Sequence, residues 1–259
     1  MGVLDRFRLD GRTAVVTGGS RGLGRAMAQA LAEAGADLVL VGREPDALET
    51  ARRELTALGR FVAAVPGDVS TPAGAEAACR DVLSLNRPID VLVNNVGGRR
   101  VDVATEDVPL AQWRELMDLN LTSALVCCQQ LCRGMLERGK GAVVNVTSIA
   151  GPIAIKGIRG RHYETAKAAL TALTKSLAAD WAPRGVRVNA IAPGVFLTAP
   201  NRKWFGEKPT FQNEFVSHIP MGRMGEPEEL GPAAVFLAGD ASSYVTGATV
   251  VVDGGYTLW

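Results

Sequence analysis

The sequence predicts an α/β fold: one doubly wound parallel sheet of about seven strands with helices on both faces. Three observations carry this. Short runs of β-branched and aliphatic residues alternate with helix-length segments from end to end. The runs are continuously apolar rather than alternating with polar residues, as expected of strands buried on both faces of a parallel sheet. No low-complexity linker interrupts the series, so residues 1–259 read as a single domain.

The elements follow in order. Thr13–Thr17 (TAVVT) reads as the first strand and Leu23–Ala34 as an alanine-rich helix. Leu38–Val41 is the second strand, followed by a helix over Pro45–Leu58 with proline at its first position, where the missing N–H costs nothing. Phe61–Val65 and Ile89–Val93 read as strands around a helix over Pro72–Leu85. A long helical stretch runs from about Leu110 to Glu137. Ala142–Val146 and Val186–Ile191 are strands around a helix over Tyr163–Asp180. A helix over Pro227–Ala238 and a last strand, Thr249–Val252, close the series. Phe196–Arg223, with scattered proline, glycine and aromatics, reads as irregular and as the segment that binds substrate.

Composition excludes several classes. Lys and Arg number 28 against 27 Asp and Glu, so bulk positive charge for nucleic acid is absent. The 29 glycines have no Gly-X-Y period, and 47% apolar residues are enough for a substantial core. No apolar run approaches the ~18 residues of a spanning helix, and the opening MGVLDRFRLDGR lacks a signal-peptide apolar region. Arg6 stands where a myristoylation signal needs Ser or Thr. Cys128 and Cys132 lie four apart on a predicted helix, a spacing open to a metal pair. With Cys79 and Cys127 they read instead as small buried hydrophobes of a reduced, cytoplasmic protein, because no second pair or nearby histidine completes a metal set. No metal is expected.

The first strand runs directly into Thr17-Gly18-Gly19-Ser20-Arg21-Gly22-Leu23-Gly24 and then a helix. Glycines there permit positive φ and let a pyrophosphate approach the amides of a helix N-terminus. A dinucleotide fold for NAD usually offers an acid about 20 residues on, for the ribose hydroxyls. Here the second strand ends in Val41-Gly42-Arg43, without an acid at its tip. Arg21 and Arg43 suit a 2′-phosphate and favour NADP, although each also reads as a solvated loop charge, and Glu44 keeps NAD open.

Further residues then fall into a known pattern: Thr17-Gly18-x3-Gly22-x-Gly24, Asp68-Val69, Asn94-Asn95-x-Gly97, Asn120, Ser148, Tyr163-x3-Lys167, Pro193-Gly194 and Asp253-Gly254-Gly255, in this order. The chain resembles the single-domain short-chain dehydrogenase/reductase family over nearly its whole length. Pro220–Pro227 and Val245–Tyr256 resemble the bacterial branch that holds 3-oxoacyl-carrier-protein reductases and gluconate 5-dehydrogenase-like enzymes. The resemblance implies a Rossmann-type fold, NAD(P)-dependent interconversion of a ketone and a secondary alcohol, and a homotetramer. It implies adenine contacts from Asp68 and Val69, and a cofactor floor at Asn94, Val96 and Gly97. It implies further cofactor contacts from Gly18, Ser20, Gly22, Leu23, Gly24, Pro193, Gly194 and Val195, with Thr198 holding the carboxamide.

Tyr163 and Lys167 stand four apart on a predicted helix and so share a face. A phenol with a pKa near ~10 is too weak an acid for proton transfer at neutral pH. An ammonium roughly 5 Å away, at an effective dielectric of about 20, favours phenolate by ~3 kcal/mol. Ser148 stands at the end of the fifth strand, where its hydroxyl can polarise a substrate carbonyl. By resemblance Lys167 also holds the nicotinamide ribose, and Asn120 holds a water that relays protons to Lys167.

Fourteen residues separate Ser148 from Tyr163, more than the family usually has. An outward bulge would leave the pairing intact; otherwise Thr147 is the fallback hydroxyl. Arg99, Arg100, Lys156, Arg159 and Arg161 suggest a basic rim for an anionic substrate such as a sugar acid or a 3-oxoacyl thioester, or else are solvated charges. Trp204, Phe205, Phe211 and Phe215 suggest an apolar lid or a subunit contact. The expected partner is a small carbonyl or alcohol substrate, with neither nucleic acid nor membrane. The alternatives are a dinucleotide-sensing protein without turnover, and an epimerase or dehydratase that recycles its cofactor internally.

Overall fold

The computed structural model describes residues 2–98, 103–155, 159 and 161–258. Among them are seven strands in one parallel sheet of order β3-β2-β1-β4-β5-β6-β7. The strands are β1 Thr13–Thr17, β2 Asp37–Gly42, β3 Val62–Pro66, β4 Val91–Asn94, β5 Gly141–Val146, β6 Val186–Pro193 and β7 Thr249–Val252. The order reverses between β1 and β4, which pair through Ala14↔Val91, Val15↔Leu92 and Val16↔Val93. At such a switch point the loops beyond the two strand ends diverge to opposite faces and open a crevice.

The continuous apolar strands divide by period two between two cores. Val16, Leu40, Val93 and Val146 pack with α1 (Gly22–Glu33), α2 (Pro45–Thr56) and α10 (Gly231–Ala238). Val15, Val39, Leu92 and Val143 pack on the other face with α3 (Pro72–Ser84), α5 (Ser123–Leu131), α6 (Arg133–Arg138) and α7 (Arg161–Trp181). All four cysteines are buried in that second core as free thiols. Among the described residues no cluster of His, Cys, Asp and Glu could hold a metal, and no helix is long and apolar enough to cross a membrane.

One expectation gains detail and another is corrected. The long helical stretch is α4 (Leu110–Met117), a π-turn at Asp118–Thr122, and then α5 and α6. The segment read as irregular holds two helices, α8 (Ala199–Gly206) and α9 (Pro209–Ser217). Each has proline in its first turn and is short enough to need tertiary support. That support is aromatic. Trp204 meets Phe205 and Phe211 edge-on at 4.7 and 5.2 Å, and Phe215 stacks on Tyr256 at 4.8 Å. The Asp253 carboxylate folds the C-terminal turn by accepting from the Gly255 and Thr257 amides (2.8 and 2.9 Å).

Candidate active site

β1 delivers Gly18 at φ +65°, with its N–H donating to the Val41 carbonyl at 2.8 Å. A Cβ on Gly24 would lie 2.2 Å from the Gly18 carbonyl oxygen, so the first turn of α1 closes on the loop only because Gly24 lacks a side chain. Beside this turn is a groove of about 250 Å³. Gly18, Ser20 and Arg21 line it from the turn, Arg43 and Glu44 from the end of β2, Asp68 and Val69 from beyond β3, and Val96 and Gly97 from beyond β4. It opens at the carboxyl ends of the strands, on the switch point.

Of the other predicted cofactor residues, Gly22 (φ +56°) faces Thr198, whose methyl would be 3.6 Å from a Cβ there. Leu23 packs against the α1 core. Pro193 and Gly194 close β6, where the Gly194 N–H donates to Val252 and the Pro193 carbonyl accepts from Ile149. Val195 packs with the α8–α9 aromatics.

Asn94 and its neighbour take different surroundings. The Asn94 side chain is buried beneath the sheet end, donating to Asn145 Oδ1 at 2.9 Å and Cys128 Sγ at 3.3 Å. Its neighbour Asn95 lines the groove instead. The Asn95 amide donates to the Thr17 and Gly18 carbonyls at 3.1 and 3.4 Å and so braces the glycine turn. Alternation of side chains along an extended chain sends two adjacent asparagines to opposite sides, a signal that the sequence itself carries.

Two ion pairs stand at the outer lip. Arg21 meets Glu44 at 3.0 Å, and Arg43 Nε lies 4.0 Å from Asp68 Oδ1. Both pairs are exposed, so each is weak and readily exchanged for a bound anion.

Of the predicted catalytic residues, Lys167 and Asn120 converge on Gly97, which lines the groove. Lys167, on α7, is buried and donates to the Val146 carbonyl at 2.9 Å. Burial lowers its pKa from 10.5 to about 8, because a desolvated ammonium is disfavoured. Its Nζ lies 6.0 Å from the centroid of the half-buried Tyr163 ring, one turn earlier on the same face. A Cβ on Gly97 would be 2.7 Å from Lys167 Nζ and 2.9 Å from Asn120 Oδ1, so this glycine lets β4, α7 and the π-turn converge. Asn120 is wholly buried in the π-turn. It accepts from the Gly98 N–H at 2.9 Å and donates to the Gly98 and Leu116 carbonyls at 3.2 and 3.0 Å. Departures from α-helical pairing of this kind recur at functional sites.

Ser148 follows β5, and its Oγ accepts from the Ala150 N–H at 3.1 Å. The fallback Thr147 is already engaged, its hydroxyl donating to the Ile191 carbonyl at 2.9 Å. Beyond Ser148 lies a small apolar core of Ala150, Ile155, Phe205, Phe215, Ile219 and Met224, against which Tyr163 and Phe211 pack. Of the proposed basic rim, Arg99, Arg100 and Lys156 lie outside the described residues. Arg161 remains partly exposed but is paired with Glu164 at 2.7 Å.

A family model described as enoyl-(acyl carrier protein) reductase matches residues 18–257. Galactitol 2-dehydrogenase (L-tagatose-forming) of Cereibacter sphaeroides is 42% identical over 254 residues, 98% of each chain. The rhamnolipids biosynthesis 3-oxoacyl-[acyl-carrier-protein] reductase of Pseudomonas aeruginosa is 39% identical over 97% of this chain and 98% of its own. The crystal structure of a gluconate 5-dehydrogenase from Burkholderia cenocepacia, in complex with NADP and tartrate, superposes with a TM-score of 0.92 at 37% identity and covers 100% of both chains. With the glycine turn, the strand order and the Tyr163–Lys167 face already in place, these matches identify the chain as a member of the short-chain dehydrogenase/reductase family of NAD(P)-dependent oxidoreductases.

Proposed function

We propose that the chain interconverts a secondary alcohol and a ketone on a polyol or sugar acid, with NADP(H) as its dinucleotide. The observation that carries this is the convergence of Lys167, Asn120 and Gly97 at a glycine-walled groove, with the Tyr163 ring 6.0 Å from the Lys167 ammonium nitrogen.

The residues present fit a dinucleotide. Gly18, Ser20 and Arg21 line the groove just before the N-terminus of α1, where a pyrophosphate would meet free backbone amides, and Arg21 and Arg43 stand where a 2′-phosphate would replace their carboxylate partners. Gly18, Ser20, Arg21, Gly22, Leu23, Gly24, Arg43, Asp68, Val69, Val96 and Gly97 would hold the adenosine and pyrophosphate half. Pro193, Gly194, Val195 and Thr198 would border the other half. Asn94 acts from below by fixing the strand end. A bound nicotinamide supplies the acceptor or donor of hydride.

In the oxidation direction Tyr163 removes the hydroxyl proton while the carbon loses hydride; in reduction it returns that proton to the carbonyl oxygen. Lys167, with a pKa of about 8, is charged at neutral pH. Its Nζ stands 6.0 Å from the Tyr163 ring centroid, and a positive charge on that side of the ring favours the phenolate over the phenol. Ser148 donates to the substrate oxygen as charge develops there. Asn120 positions the Gly98 backbone and a relay water beside Lys167. The α8–α9 aromatics and residues 196–223 form the substrate wall.

A polyol or sugar acid is favoured by the 42% identity to galactitol 2-dehydrogenase. A 3-oxoacyl thioester is the second reading, favoured by the apolar wall of Phe205, Phe211 and Phe215 and by the Pseudomonas relative. The family resemblance supports a homotetramer, and four free thiols support a cytoplasmic setting. A panel of galactitol, D-gluconate, D-threitol, glycerol and a 3-oxoacyl thioester, run with both dinucleotides and followed by nicotinamide absorbance, tests the assignment. Net absorbance change separates hydride transfer from internal recycling and from mere sensing. Tyr163→Phe should end turnover yet retain NADPH binding; a variant with undiminished turnover sinks the mechanism.

A further inference from the structure

We propose that Glu164 is a positioning residue for the reaction: its buried carboxylate ties Ile155 to the first turn of α7 and so sets the wall against which substrate meets Tyr163. This rests on the reading of Tyr163 and Ser148 as the reacting pair.

A carboxylate in the first turn of a helix is favoured by the backbone dipole, but burying one is costly unless its oxygens find donors. Glu164 is only 7% exposed. Its Oε1 accepts from the Ile155 N–H at 3.3 Å, and Arg161 Nη1 meets its two oxygens at 2.7 and 2.8 Å. The same guanidinium nitrogen reaches the Ile155 carbonyl at 3.5 Å. The peptide on either side of Ile155 is therefore tied to two residues that flank Tyr163 in the helix.

Ile155 carries this anchorage onward. Its side chain, 7% exposed, belongs to the small core with Ala150, Phe205, Phe215, Ile219 and Met224. Tyr163 packs against the same core. One carboxylate thus joins the chain leaving Ser148, the helix carrying Tyr163 and the α8–α9 aromatics. That role suits a chain with an unusually long span between Ser148 and Tyr163, which needs an added tie to hold its course. Glu164 does not line the dinucleotide groove, and the Lys167 ammonium donates to the Val146 carbonyl. Its influence falls on the substrate side.

The test compares Glu164→Ala, Glu164→Gln and Arg161→Ala with the parent enzyme through two readouts. The first is NMR hydrogen exchange at the Ile155 amide, with the Gly18 amide as an internal control. Glu164→Ala should speed Ile155 exchange at least about tenfold, the scale of a lost bond to a charged acceptor, and leave Gly18 unchanged. The second is steady-state kinetics on galactitol or D-gluconate. KM should rise about tenfold with kcat within about threefold, and NADPH affinity should hold within about twofold. Glu164→Gln, which keeps an acceptor oxygen, should recover most of the KM. Unchanged Ile155 exchange, an unchanged KM, a parallel loss of NADPH binding, or a Gln variant as impaired as Ala would each overturn the proposal. Should the Ala variant not fold, Arg161→Ala decides it on the same KM criterion. Absence of turnover in the parent enzyme would defeat the proposed function instead, and the exchange measurement still judges the tie.

Discussion

Replacing Lys167 by methionine should raise the stability of the protein while ending its chemistry. The side chain is 3% exposed, and burial lowers its pKa from 10.5 to about 8. That difference corresponds to about 3 kcal/mol by which the fold disfavours the ammonium at neutral pH. Methionine matches the stem in volume and carries no charge. It forfeits the bond from Nζ to the Val146 carbonyl, worth about 1 kcal/mol. The net gain is then about 2 kcal/mol, or about 4–8 °C in Tm for a chain of this size. The sign also fixes a pH signature. The folded-state pKa lies below the unfolded one, so between pH 8 and 10.5 the unfolded chain holds the extra proton. The penalty in the parent protein is complete below about pH 8 and fades as pH rises towards 10.5. The advantage of Lys167→Met should therefore shrink across that window. Urea unfolding without dinucleotide, at pH 7, 8, 9 and 10, measures it. A variant less stable than the parent at pH 7, or an advantage that does not change with pH, would refute the argument. The gain belongs to a wider pattern in which a site retains a costly buried charge because function needs it.

Other outcomes follow from the same geometry. Gly24→Ala places a Cβ 2.2 Å from the Gly18 carbonyl oxygen, so NADPH affinity should fall at least about tenfold and stability by about 1–3 kcal/mol; isothermal titration and melting curves measure both. Glu44→Gln frees Arg21 from its 3.0 Å partner and should tighten NADPH binding by up to about fivefold, with NADH unchanged, as read by nucleotide fluorescence. Ser148→Ala should cut kcat by about 10²–10³ with little change in Tm. Thr147→Val removes the bond to the Ile191 carbonyl and should cost about 1 kcal/mol while sparing kcat; the reverse pattern would exchange the two roles.

Much of the fold was legible before any coordinates, because its signals are local. Seven apolar runs with helix-length spacers report strands buried on both faces, and the first and last, Thr13–Thr17 and Thr249–Val252, have the predicted ends. The glycine turn is legible for the same reason: glycine takes positive φ without steric cost, as at Gly18, and at Gly24 any Cβ would fall 2.2 Å from the Gly18 carbonyl oxygen. The shared face of Tyr163 and Lys167 follows from helix periodicity alone. Helices α8 and α9 escaped detection because segments of 8 and 9 residues are stabilised by rings packing across a gap, not by their own propensities. The π-turn at Asn120 likewise has no local signature.

Residue order left the partners of the charged groups open. Arg21 and Arg43 were visible as candidate phosphate ligands, but their pairing with Glu44 and Asp68 depends on the approach of strand ends distant in the chain. The face taken by Asn94 rather than Asn95, the engagement of Thr147 and the capture of Arg161 by Glu164 are settled by neighbours from other elements. The same holds for the acidity of Lys167. Helical spacing places its ammonium near Tyr163, but its pKa is governed by how completely β4, β5 and the π-turn exclude water from it. Desolvation is a property of everything packed around a charge, and only the folded chain assembles those surroundings.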